Sequence, residues 1–163
     1  IEIFCEEMFD RNLPDEVPPI PKYIQEWESP FGKESETYPL QVIGTHFMPR
    51  MHSTLGNVEW TKEAFPQRVF INPIDAEERG LKNGQKVKVF NERGTVILPC
   101  RITRRILPGV VNIPQGAWWK PDKDGNDIGG SVNTLTSERW TPFAFGNAQH
   151  TIMAEVTALG ARP

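Results

Sequence analysis

Apolar and polar positions alternate with a period of two along several short stretches of this chain, and Gly, Pro, Asn or Asp punctuates each of them. Such a pattern predicts short strands joined by turns. Leu40-Gln41-Val42-Ile43-Gly44 is the first clear one, and Gly44 ends it where the backbone can come close to a ligand. A short helix is expected from Val58 to Phe65, stopped before Pro66. Arg68-Val69-Phe70-Ile71-Asn72 is the next strand and leads straight into a helix start: Asn72 as N-cap, Pro73 at the first helical position, Asp75 in the first turn, and Gly80 as the stop. After the Asn83-Gly84 turn, Gln85-Lys86-Val87-Lys88-Val89 places both lysines on one face and both valines on the other. Asn91 to Gly94 turns the chain into Thr95–Ile102, giving a hairpin rich in β-branched residues. Leu107-Pro108-Gly109 turns it again into Val110–Pro114, and Thr151–Val156 is the last strand.

The alternating run Ile1–Glu6 reads as a further strand whose pairing partner is expected outside this chain, because unpaired strand edges invite association. With no initiator Met and no basic-then-apolar leader, the chain is expected to be cut from something larger. About six or seven short strands with one or two small helices predict a mainly β protein, a barrel with short inserted helices. The stretch from Gln115 to about Ser131 has no strand pattern, and loops that long in a compact domain are usually functional or disordered.

Composition sharpens this picture at three points. In 163 residues no apolar run approaches the ~20 that a membrane span needs, so no direct membrane insertion is expected. Only two cysteines occur, Cys5 and Cys100, neither in a C-x-x-C pair, which argues against a disulfide scaffold and against a cysteine-rich metal site. The net charge of −3 conceals an asymmetry: residues 1–37 hold ten Asp/Glu against three Lys/Arg, whereas residues 38–163 hold eleven against fifteen. Residues 1–37, with Pro14, Pro18, Pro19, Pro21 and Pro30, therefore read as an N-terminal strand followed by an acidic, proline-rich arm or linker with a solvated face. Residues 38–163 read as the mildly basic barrel.

Polar side chains suited to chemistry cluster on two loops beside strand ends, Gly44–Thr54 and Asn133–His150. Together they offer amides, hydroxyls, imidazoles and a guanidinium, a set suited to an anionic ligand with many hydrogen-bonding edges. No G-x-S-x-G elbow is present and Cys100 lies mid-strand, which disfavours a nucleophilic relay. His46, His52 and His150 have no metal-ligand spacing and read as hydrogen-bonding loop residues or structural ones. Lys86, Lys88, Arg101, Arg104 and Arg105 form no wide basic stripe, so a solvated sheet face is expected and no nucleic-acid partner. Gly129-Gly130-Ser131 suits either an anion-binding nest or a plain turn, and Trp118-Trp119 either stacking on a flat heterocycle or packing of the loop.

These residues resemble a known family. Val69 to Gly94, continued by Leu107-Pro-Gly-Val-Val111, is similar to the molybdopterin dinucleotide-binding domain that ends the catalytic subunits of the dimethyl sulfoxide reductase family. The likeness extends over nearly the whole chain, through Ile1–Glu6, Tyr38–Ile43, Gly116–Trp119 and Asp127–Thr136. The late stretch, with Gly146-Asn147 and His150-Thr151, is nearest to the catalytic subunits of the anaerobic dimethyl sulfoxide reductase branch. The resemblance implies a double-psi β-barrel over bis(molybdopterin guanine dinucleotide) with molybdenum, in a parent that transfers an oxygen atom and two electrons. Carried over by position, Gly44, Thr45, His46, Arg50, His52 and Ser53 are expected to contact pterin and phosphates, with Asn133, Thr136, Asn147 and Gln149 closing from the other loop.

The resemblance places the molybdenum ligand and the iron–sulfur cluster in other domains, so no catalytic residue and no metal ligand is expected here and the isolated fragment is expected to be inactive. Its implied partners are the remaining domains of the parent, an electron-transferring iron–sulfur subunit and a membrane-anchor subunit, with the parent on the extracytoplasmic side. The rival expectation is a double-psi-like barrel that serves protein interaction or substrate recognition without molybdenum. Loops converging on one end of the barrel favour the first reading, and loops at opposite ends the second.

Overall fold

Residues 2–160 are described by a computed structural model. Six strands carry the fold: β1 (Leu40–Ile43), β2 (Val69–Ile71), β3 (Lys86–Phe90), β4 (Thr95–Ile102), β5 (Val110–Asn112) and β6 (Ile152–Ala158). They close into a barrel in the order β1-β5-β2-β4-β3-β6. Two pairings are parallel, β1 with β5 and β2 with β4, and the other four are antiparallel. Exchanging β1 with β4, β2 with β5 and β3 with β6 maps every pairing onto one of the same direction. That internal two-fold, with parallel pairs made between strands distant in the chain, is the double-psi arrangement. The expected mainly β class with short inserted helices therefore holds.

The alternation seen in the sequence fixes what the barrel encloses. In β3, Val87 and Val89 are fully buried while Lys86 and Lys88 face outward, and in β4 the inward set is Val96, Leu98 and Cys100. Val42, Val69, Ile71, Val111, Ile113 and Val156 belong to the same core. Period-two patterning works here because each strand has one face on the enclosed core and one on solvent or a covering segment.

Among the described residues, three short helices decorate the barrel: α1 (Glu6–Asp10), α2 (Glu59–Ala64) and α3 (Pro73–Glu78). α3 starts as its sequence dictates, since the Asn72 side chain accepts the Ile74 N–H at 2.9 Å and Pro73 stands at the first position. Gly80, with φ of +61°, lets the chain leave this helix in the left-handed region.

The expected strand Ile1–Glu6 is corrected. Ile1 lies outside the described residues; Glu2 to Cys5 form no strand, and Glu6 begins α1. Among the described residues no neighbouring strand runs beside this segment, whose Cys5 N–H instead meets the Pro19 carbonyl at 2.8 Å, and the acidic pair Glu6 and Glu7 suits a helix N-terminus. β5 stops at Asn112 rather than Pro114, β6 runs on to Ala158, and two 3-10 helices, Lys33–Glu36 and Val132–Leu135, carry no signal that the pattern showed. The acidic arm is docked rather than wholly solvated, for Val17 and Ser29 are buried.

Candidate functional site

Strand direction decides which loops share an end. β1, β3 and β5 finish at the end where β2, β4 and β6 begin. The Gly44–Ser53 loop, the Asn91–Gly94 turn, the segment from Ile113 and the approach to β6 therefore all emerge on one side. The two polar loops of the sequence converge.

Gly44 marks the meeting point. Its N–H donates to His150 Nδ1 at 3.4 Å, and a Cβ placed on it would stand 3.4 Å from Val132 Cγ1, 3.7 Å from the Gln149 carbonyl and 3.8 Å from Gln115 Cβ. Three separate loops thus touch one glycine. Thr45 is held by Asn112, whose Oδ1 accepts both the Thr45 N–H at 3.3 Å and its hydroxyl at 3.0 Å. The exposed rings of His46 and His52 lie edge to face, 5.0 Å apart.

Gln115 joins the loops through its side chain. Its Oε1 accepts Gln149 Nε2 at 3.0 Å, which turns its NH2 toward His52 Nδ1 at 3.3 Å. An amide NH2 can only donate, so His52 Nδ1 is the acceptor in this contact. His52 adopts a φ of +52°, an uncommon conformation for a residue with a Cβ. Gly116 permits the close approach of this backbone: it has a φ of +87°, and an added Cβ would fall 1.8 Å from the His52 carbonyl oxygen. Ser53 is anchored next door, its carbonyl accepting the Trp118 indole N–H at 2.8 Å. Trp118 therefore packs one loop onto another.

Arg50 is the cation of the group. One of its Nη2 bonds goes to Gln67 Oε1 and another to the Gln115 carbonyl, both at 2.9 Å, and its guanidinium carbon lies 4.6 Å from the centre of the Phe47 ring. Burial pushes its pKa below the ordinary arginine value. Its Nε is buried with no hydrogen-bond partner among the described residues, as is the Thr61 hydroxyl on α2. Both residues border a cleft of about 530 Å³ that also meets Phe47, Trp118 and Lys120. Gln67 is fully used, donating to the Pro114 carbonyl at 2.6 Å and the Gly130 carbonyl at 3.1 Å while accepting from Arg50.

The remaining expected residues are less closely knit. Asn133 is exposed on the Val132–Leu135 helix beside Gly44, and its carbonyl accepts the Thr136 hydroxyl at 3.0 Å, so that hydroxyl closes the turn. Asn147, also exposed, pairs with Trp140 as an isolated bridge, and no contact among the described residues ties its side chain to Gln115.

Sequence reasoning missed Gln67, Asn112, Gln115 and Asp127. Asp127 is wholly buried and accepts four donors: the N–H groups of Lys120 (2.9 Å), Gly129 (2.8 Å) and Ser131 (2.6 Å), and the Thr134 hydroxyl (3.2 Å). The Gly129-Gly130-Ser131 turn therefore cradles an anion that the chain itself supplies. Asp127 also bridges β4 through Thr95 and Ile97, so one residue folds the long loop and sets the Val132–Leu135 helix against the barrel. Among the described residues, no group of three or more His, Cys, Asp or Glu side chains is placed to hold a metal ion.

Comparison with known proteins gives a family and a fold. Residues 40–153 match the family model described as the Molydopterin dinucleotide binding domain. The chain is 47% identical over 145 residues to "Dimethyl sulfoxide reductase DmsA" of Haemophilus influenzae, covering 89% of this chain and 18% of that protein. It is 43% identical over 162 residues to the protein of the same name from Escherichia coli strain K12 (96% and 20%). To "Trimethylamine-N-oxide reductase 1" of Escherichia coli O157:H7 it is 36% identical over 166 residues (96% and 20%). The chain thus spans about a fifth of the length of these relatives. Among solved structures, "Acetylene Hydratase from Pelobacter acetylenicus" superposes with a TM-score of 0.78 at 18% identity, over 97% of this chain and 23% of that one, a likeness of fold.

Proposed function

The chain belongs to the molybdopterin dinucleotide-binding domain family, and on that premise we propose that its converged loops hold the cofactor of a molybdenum reductase. The single observation that carries the site is the meeting of Gly44, His52, Gln115, Val132 and Gln149 at one barrel end. Loops at opposite ends would have favoured a barrel used only for interaction.

The donor set fits such a ligand. A pterin presents amide-like edges, which exposed Asn133, the hydroxyl of Thr45 and the exposed imidazoles of His46 and His52 can match. A pyrophosphate favours a guanidinium and backbone N–H groups, and Arg50 keeps one buried nitrogen without a partner beside the cleft. In this reading Gly44, Thr45, His46, Arg50, His52 and Ser53 face pterin and phosphates, and Asn133, Thr136, Asn147 and Gln149 close the other side. Gln115 and Gln67 orient His52, Gln149 and Arg50 without touching the ligand.

When bound, bis(molybdopterin guanine dinucleotide) with its molybdenum supplies the two-electron chemistry. The residues of this chain bind, orient and exclude water. The parent reaction is reduction of an S-oxide or N-oxide: two electrons and two protons enter, the S–O or N–O bond breaks, and a sulfide or amine leaves with water. Residues 1–37 serve as the arm from the preceding part of the parent and residues 38–163 as the binding barrel. The molybdenum ligand and the iron–sulfur cluster belong to other domains of the catalytic subunit. Its partners are an iron–sulfur subunit and a membrane anchor on the extracytoplasmic side, in anaerobic respiration.

The test is to substitute Arg50→Ala and Asn133→Ala separately in the full-length parent and assay bound molybdenum and guanine nucleotide. A reduced content of both in either variant is expected. Unchanged content together with unchanged reductase activity in both variants would overturn the site.

A further inference from the structure

Glu28 lies in the acidic arm, 125 positions before the β6 residue it bonds, Met153, and its carboxylate is among the better-buried charges of the described residues. The Glu28 side chain is 15% exposed and that of Arg93, its partner, 22%. One oxygen, Oε2, accepts Arg93 Nη2 at 2.8 Å and the backbone N–H of Met153 in β6 at 3.0 Å. Arg93, in the β3–β4 turn, reaches onward with Nε to the Leu135 carbonyl at 2.9 Å. Asn91 Nδ2 meets the same carbonyl at 2.9 Å and also reaches the Met153 carbonyl at 3.2 Å. Glu92 pairs with the outer nitrogen of Arg93, leaving the inner face to Glu28 and Leu135.

Leu135 is the last residue of the 3-10 helix that carries Asn133, and Thr136 follows it. A carbonyl at a helix C-terminus lacks an intrahelical partner, and a guanidinium and an amide both donate to this one. The path runs from the arm through the barrel turn to the helix beside Gly44. We propose that Glu28 and Arg93 are positioning residues, through which the segment preceding the barrel sets where Asn133 and Thr136 stand. Retention of the cofactor then depends on a carboxylate that does not touch it. The inference rests on the proposed site, and the experiment separates the two.

The measurements use the full-length, cofactor-loaded parent. Glu28→Gln keeps the shape and an acceptor for Met153 but removes the charge opposite Arg93. Arg93→Lys keeps a charge opposite Glu28 and loses the Nε bond to Leu135. Both variants are expected to release guanine nucleotide on the order of tenfold faster than the wild type, the scale of one charge-assisted hydrogen bond. Asn133→Ala combined with Glu28→Gln should release it no faster than Asn133→Ala alone, because both act through one helix. Hydrogen exchange at the amides of Thr134 to Thr136 should quicken in Glu28→Gln while that of Val87 and Val89 stays unchanged, which a general loss of stability would not produce.

Multiplying effects in the double variant, or wild-type release in both single variants, overturns the relay. Should Asn133→Ala and Arg50→Ala both hold the cofactor normally, the site assignment fails and exchange alone decides: faster exchange at Thr134 to Thr136 supports the positioning role, and unchanged exchange overturns it.

Discussion

Two glycines show how much a single position can carry at this site. Gly116 and Gly125 both have positive φ, +87° and +83°, so a side chain strains the backbone at either. They differ in what a Cβ would meet: the His52 carbonyl oxygen at 1.8 Å for Gly116, nothing within 4 Å for Gly125. Gly125→Ala should therefore cost about 1 kcal/mol, the conformational penalty alone. Gly116→Ala should cost on the order of 3 kcal/mol or more, because the 52–53 and 116–118 backbones must part. Urea unfolding of the two variants checks the difference, and equal losses would mean that the close approach is unimportant.

Among the elements, α3 shows how a short helix is held by more than its cap. Asn72 accepts the Ile74 N–H and donates to the Ile106 carbonyl at 2.7 Å, so one amide serves the helix start and the approach to β5. Asp75 does the same from the first turn, its two oxygens accepting the Gly109 N–H at 3.1 and 2.9 Å. Burial raises the Asp75 pKa, against the lowering influence of the Gly109 N–H and of Arg79. A carboxyl whose folded pKa is raised gives stability that is fully present below its unfolded pKa and lost as the pH rises through the folded value. The wild type should accordingly lose stability relative to Asp75→Asn as the pH is raised from below the ordinary aspartate range through that elevated value. Denaturation midpoints of both proteins across a pH series read this directly, and parallel curves would refute it.

At the scale of the whole molecule, closure of the barrel makes the core continuous. Ile71 is fully buried in β2, which is flanked by β4 on one side and β5 on the other. Ile71→Ala should cost about 2–5 kcal/mol, because a closed sheet cannot collapse into the space left behind. A change of less than about 1 kcal/mol in thermal or chemical unfolding would show that the barrel yields. Because the loops stand on this frame, cofactor retention is expected to survive that substitution below the unfolding temperature, unlike the losses foreseen for Arg50→Ala and Asn133→Ala. The arm belongs to the same frame, since its Glu28 takes the Met153 N–H of β6.

The strands, the α3 cap and the turn glycines were legible in the sequence because each depends on neighbours within a few residues. The alternation of Val87 and Val89 with lysines, or Asn72 before Pro73, states its own local outcome. The psi topology came from the family resemblance, and the closed barrel has it. The tertiary structure alone decided which side chains join those loops. Gln115 and Gln149 are 34 positions apart and Glu28 and Met153 are 125 apart. No period links such pairs, and an amide or carboxylate becomes a bridge only when the barrel brings its partners within about 3 Å of it. Asp127 shows the same limit: read along the chain it is one acid in a polar loop, and only the folded loop turns four donors onto it. The acidic arm, which its composition presented as a solvated linker, is anchored to the barrel because one of its ten carboxylates meets a guanidinium inside the fold.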